Sequence, residues 1–145
     1  MQVDIRNTAF EPYAELQAYQ ENMQNVGQYG ATAVFVGSMR DFNEGDTVKS
    51  MLLEHYAGMT EKYLKQISQQ AAARWSILDS LIIHRVGQIQ PNDPIVLVVV
   101  WSAHRKDAFE ASRFLMEELK SKAPFWKKEY LREGQRWVQQ NTPAE

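Results

Sequence analysis

Four lysines fall within nine positions of the stretch KSKAPFWKKE, residues 120–129: Lys120, Lys122, Lys127 and Lys128, broken only by Pro124 and the aromatic pair Phe125 and Trp126. A lysine is a solvated cation unless burial or a second cation lowers its pKa, and then it becomes a base or a nucleophile. Helical spacing sets Arg113, Met116 and Lys120 on one face, at the border of an apolar stripe. Past Pro124, strand alternation puts Lys127 on the side of Phe125 and Glu129, opposite Trp126 and Lys128. The proline corner can fold Lys127 back toward Lys120, so that two ammonium groups share one partly desolvated site. Lys122 and Lys128 are expected to stay solvated. The plainer alternative is a solvated helix end running into a polar turn, with all four lysines in water.

A second group of residues suits an anion. In WSAHRKD, His104 and Arg105 sit where a strand meets the start of a long helix, and free backbone N–H groups and the helix dipole favour negative charge there. The alternative is a capping histidine beside a surface arginine. Arg40, at a strand end next to a glycine-containing turn in VGSMRDFNEGD, is a further candidate for anion contact. His55 and His84 lie within strand patterns, where a hydrogen-bonded structural imidazole is expected. The three histidines have no metal-ligand spacing, DFNEGD lacks the ligand pattern of a calcium loop, and the chain has no cysteine. Neither a metal site nor a thiol nucleophile is expected.

These residues need elements to position them. MQVDIRNTAF reads as a short strand and EPYAELQAYQENMQNV as a helix with Pro12 in its first turn. GATAVFVGS, flanked by Gly30 and Gly37, reads as a buried strand, and VKSMLLEHY as a strand returning beside it in a hairpin. GMTEKYLKQISQQAAARW is a helix with Thr60 as its expected N-cap. LDSLIIHRVG and PIVLVVVWS are two strands joined by QIQPNDP, the second apolar throughout residues 95–101 and therefore central, with both faces covered. KDAFEASRFLMEELKSK is a helix with Ala108, Ala111, Leu115 and Leu119 as its stripe, ended by Pro124. FWKKEYLREGQRWV predicts a small hairpin turning at Glu133 and Gly134, followed by a frayed QQNTPAE. Strand pairs interspersed with three helices make an α+β domain, and residues 1–145 read as one domain.

Composition bounds the function. The 145 residues carry a net charge of -2, with 44% hydrophobic and 23% charged residues. That is a globular balance, and it argues against a domain-wide nucleic-acid footprint. No apolar run approaches the length of a membrane span, and the N-terminus has no signal-peptide pattern, so a cytoplasmic location is expected.

The blocks SAHRKDAFEASRFLMEELKSKAPFWKKE, EHYAGMTEK and GQRWV resemble the large, catalytic subunit of molybdopterin synthase, over residues 30–138. The resemblance implies an α/β hammerhead type of α+β fold and a sulfurtransferase. Such an enzyme converts cyclic pyranopterin monophosphate into molybdopterin by installing two sulfurs as a dithiolene. It also implies partners: a small ubiquitin-like subunit whose C-terminal Gly-Gly thiocarboxylate delivers the sulfur, and a second copy of the chain, giving a homodimer within a heterotetramer. No cofactor of its own is implied, and the absence of cysteine fits an enzyme that takes sulfur from a carrier. The family's pocket residues map onto Arg40, His104, Arg105, Lys120 and Lys127, with Lys120 and Lys127 as the catalytic pair. One departure is the end QRWVQQNTPAE, uncharged between Arg136 and Glu145, where relatives often carry a longer, more basic tail.

Two rival functions follow from the residues themselves. A non-catalytic module can capture a ubiquitin-like C-terminal tail with the lysines as carboxylate clamps. Single-stranded nucleic-acid binding through lysine and tryptophan is the other, and the acidic balance disfavours it.

Overall fold

The computed structural model describes residues 1–43, 45–131 and 134–138. Its element order is β1 (Gln2–Arg6), α1 (Pro12–Glu21), β2 (Ala31–Ser38), β3 (Phe42–Asn43), β4 (Asp46–His55), α2 (Met59–Arg74), β5 (Ile77–Arg85), β6 (Gly87–Ile89), β7 (Pro94–Ser102), α3 (Arg105–Lys122), β8 (Phe125–Leu131) and β9 (Gly134–Val138). Two sheets result, one ordered β1-β5-β7-β2 and the other built on β3-β4-β8-β9 with β6 also paired to β4. This is the expected α+β architecture.

β7 is central because it is apolar on both faces, as its sequence predicts. Val96, Val98 and Val100 join the core formed with Leu64, Ile67, Ala111, Leu115 and Leu119 of α2 and α3. The alternate residues Leu97, Val99 and Trp101 pack on the opposite side with Phe10, Leu16 and Tyr19, under α1. Period-two alternation thus divides one strand between two cores. The same alternation on β5 sends Leu81 and Ile83 to the α1 side and Ile82 to the other. His84, two residues past Ile82, therefore belongs to the α2 and α3 side.

The expected hairpin between β2 and the returning strand does not form. β2 pairs antiparallel with β7, from Ala31 opposite Ser102 to Ser38 opposite Pro94, while β4 lies in the other sheet. The local turn is tighter: Phe42 and Asn43 pair with Thr47 and Asp46 across Gly45, whose φ is 82°. β7 has two edges to satisfy and two faces to bury, and it outcompetes the chain neighbour for β2. Gly30 marks the join, since its N–H donates to the Ser102 carbonyl and a Cβ there would lie 2.5 Å from the Ala103 oxygen.

Thr60 is not the N-cap of α2. Gly58 takes that position with φ 86°, and its N–H donates to the Glu61 carboxylate at 2.9 Å. The Thr60 hydroxyl is fully buried and donates instead to the Pro124 carbonyl at 3.0 Å, while accepting from the Tyr56 N–H at 3.2 Å. The start of α2 is thereby tied to the corner that follows α3. That corner forms as expected: Ala123 has left the helical region, at φ -65° and ψ 140°, and β8 starts two residues on. β8 and β9 make the expected hairpin, closing between Leu131 and Gly134. Glu133 and the QQNTPAE end lie outside the described residues.

Candidate active site

Lys120 projects from the last turn of α3, and Lys127 from the middle of β8. The backbone of Lys127 is held on both sides, opposite Leu53 of β4 and Val138 of β9. Strand alternation acts as expected: Phe125 and Glu129 are buried on its side and Trp126 is exposed on the other. Lys128, on that other side, lies over the rings of Trp137 and Tyr130. Lys122 is exposed and pairs with Glu118 at 3.1 Å.

The corner brings Lys120 and Lys127 together. Burial, and then the charge of Lys127, lower the Lys120 pKa from 10.5 to about 8. Lys127 is also lowered, chiefly by burial and further by Arg40, while Glu129 works against the shift. Glu129 is itself anchored, accepting from Asn43 Nδ2 at 3.0 Å and from Arg136 Nε at 3.0 Å. The two lysines therefore differ. Lys127 has a carboxylate neighbour that favours its charge, whereas the charge that acts on Lys120 is another cation. Among the described residues neither ammonium forms an ion pair.

His84 belongs to this cluster, which strand position alone did not reveal. The residue is 3% exposed and its ring stacks on Phe125 at 4.0 Å between centroids. Burial, and then the charge of Lys120, push its pKa down to about 3, with Lys127 and His55 adding to the effect. Its structural hydrogen bond, from Nδ1 to the Arg85 carbonyl at 2.8 Å, is the kind expected of a strand histidine. The signal available in the sequence was its parity with Ile82.

Arg40 is exposed, follows the buried Met39, and acts electrostatically on Lys127, so it borders the same site. His104 and Arg105 do not. Both are exposed at the start of α3, fifteen or more residues before Lys120. At 1.5 Å per residue that is roughly 22 Å along the helix axis. A single chain consequently does not place all five expected residues together, because a helix separates its own ends.

The MoaE protein family model matches residues 9–122. The chain belongs to that family. It is 50% identical over 139 residues to the molybdopterin synthase catalytic subunit of Pseudomonas aeruginosa, covering 96% of this chain and 91% of the relative. The Haemophilus influenzae catalytic subunit is 49% identical over 139 residues, covering 96% of this chain and 90% of the relative. Among solved structures, the molybdopterin biosynthesis MoaE protein of Burkholderia ambifaria superposes with a TM-score of 0.81 at 42% identity, covering 97% of this chain and 90% of that one. The molybdopterin synthase of Staphylococcus aureus superposes with the same score at 33% identity, covering 92% of this chain and 94% of that one. The MoaE fold is thus the α+β arrangement described above, and its catalytic-subunit relatives place this chain among the enzymes of molybdopterin biosynthesis.

Proposed function

We propose that this chain is the catalytic subunit of a molybdopterin synthase, a sulfurtransferase acting on cyclic pyranopterin monophosphate. Sulfur comes from the C-terminal thiocarboxylate of a small ubiquitin-like subunit, and two transfers build the dithiolene. The observation that carries this is the pair Lys120 and Lys127: two lysines with lowered pKa, drawn together by the Pro124 corner. Such a pair stabilises the negative charge that develops when a thiocarboxylate reacts. Lys120 serves in proton transfer or transient attachment to the glycine carbonyl, because near neutral pH roughly a tenth of a lysine with a pKa of about 8 is amine. Lys127, beside Glu129, remains the fixed cation. Arg40 contributes to holding the substrate's phosphate.

His104 and Arg105 enter the pocket from a second copy of the chain. Three observations support a homodimer: their distance from Lys120, the position of β2 as an edge strand, and a cleft of about 530 Å³ along β2 and α3. Val34, Phe35 and Phe109 border that cleft and are exposed. A separate cleft of about 350 Å³ is lined by Glu54, His55, Tyr56, Trp126 and Trp137, and His55 links it to the lysine cluster. It suits an extended glycine tail, which has no side chains to clash and backbone groups to satisfy.

The test is to incubate the chain with a thiocarboxylated small subunit and the cyclic precursor. Dithiolene product is the expected result. Tail binding without product would favour the non-catalytic capture module instead.

A further inference from the structure

Arg136 is the last cation in the chain, and β9 sets it directly opposite Glu129 of β8. Cross-strand partners share a face of the sheet, so the guanidinium meets the carboxylate on the Lys127 side. Its Nε donates to Glu129 Oε1 at 3.0 Å, while Nη2 donates to the backbone carbonyl of Asn43 at 2.7 Å. Asn43 closes the triangle, its Nδ2 reaching the two carboxylate oxygens at 3.1 and 3.0 Å. Glu129 is 6% exposed, and a carboxylate so buried needs such partners to keep its charge. These contacts tie β3 to β8 and β9, although in the sheet β3 pairs only with β4 among the described residues. A strand of two residues is not held by its own ladder alone.

The segment fastened in this way carries Arg40. Its other end is fixed too, because the Met39 N–H donates to the Asp93 carbonyl at 3.0 Å and the Met39 carbonyl accepts from the Asn92 N–H at 2.8 Å. Arg40 thus lies between two anchors. One is the turn before β7, and the other is Glu129, two residues along β8 from Lys127.

We propose that Arg136 is a positioning residue for Arg40: with Asn43 and Glu129 it fastens the Arg40 segment to the strand of Lys127, so that both cations meet the substrate's phosphate at a fixed spacing. A guanidinium suits the task, since its planar fork donates at once to the carboxylate and to the carbonyl. The electrostatic effect of Arg40 on Lys127 agrees with this arrangement. The inference rests on Arg40 holding the phosphate, as proposed above.

The experiment compares wild type, Arg136→Gln and Asn43→Asp by hydrogen exchange resolved by NMR and by steady-state kinetics. Asn43→Asp keeps the side chain's size and sets a second carboxylate against Glu129, so it opens the clasp without touching Arg136. Asn43 is half-buried at a turn, and this variant decides the matter if Arg136→Gln does not fold. The reporting amide is Val48, which donates to the Asp41 carbonyl at 2.8 Å beside the β3–β4 pairing. Both variants are expected to speed its exchange about ten-fold or more, the share of hydrogen bonds to a charged group. KM for the cyclic precursor is expected to rise about five-fold or more, with kcat within about three-fold of wild type. An ion pair that merely ties β9 to β8 leaves Val48 exchange and KM unchanged while the urea midpoint falls, and that result would overturn the proposal. Faster exchange at Val48 with KM unchanged overturns it as well, since Arg40 is then held without the clasp. A wild-type chain that makes no dithiolene sinks the proposed function, and exchange at Val48, which needs no turnover, then decides by itself whether the clasp holds the Arg40 segment.

Discussion

At the residue scale, chemically identical side chains four lysines deep in one short stretch have been given different environments. Lys122 meets water and Glu118; Lys120 meets burial and another cation. Lys120→Ala is expected to lower turnover by about 100-fold or more with the fold intact, and Lys122→Ala to do little, since a group in proton transfer or charge stabilisation is worth that much. Equal losses in a steady-state assay would remove the distinction. The pH profile gives a second check. If the Lys120 amine is the working form, kcat/KM rises with pH through about 8 and then levels. Stability has a matching sign: the folded pKa lies below that of an unfolded lysine, so the unfolded chain holds more protons between about 8 and 10.5 and stability increases with pH across that window.

At the element scale, the site depends on how α3 is stopped and what the stop is fastened to. Pro124 ends the helix, but the corner is held from α2, through the buried Thr60 hydroxyl on the Pro124 carbonyl. Thr60→Val keeps the shape and removes both of its hydrogen bonds, leaving the Pro124 carbonyl and the Tyr56 N–H without that partner. A loss of about 1–3 kcal/mol is expected from the shift in urea midpoint. Turnover should fall as well, because the same corner orients Lys120 against Lys127. An unchanged midpoint would mean that water replaces the hydroxyl without cost.

At the scale of the whole molecule, the length of α3 decides what one chain can do alone. Its two ends carry two halves of the expected site, Arg105 and Lys120, and they cannot meet within one chain. A dimer that exchanges them is testable by complementation. Lys120→Ala and Arg105→Ala chains, each weak alone at substrate well below KM, are mixed under conditions that exchange subunits. If the pocket crosses the interface, mixed dimers contain one intact pocket, and the preparation is expected to recover roughly a quarter of wild-type activity, the statistical share for random two-fold dimers. No recovery would mean that Arg105 does not complete the Lys120 pocket across an interface.

Much of this protein is legible from local pattern. The apolar run of β7 announces a strand buried on both faces, the stripe of α3 announces its packing, and Pro124 announces the break between α3 and β8. The lysine alternation across β8 follows from period two alone. What local pattern does not contain is partner choice. β2 has the same look whether it pairs with β4 or β7, and only the need of β7 for neighbours on both edges decides it. Thr60 has the look of a cap, and only the approach of Pro124, sixty-four residues away, turns it into a clasp. His84 is the plainest case. Its strand position told of a structural hydrogen bond, which it has, but its lowered pKa depends on burial and on charges from α3, β8 and β4 that converge only when the chain folds. Turns and helix stops are set by near neighbours in the chain; electrostatic environment is set by everything within a few ångströms, and tertiary packing alone determines what that includes.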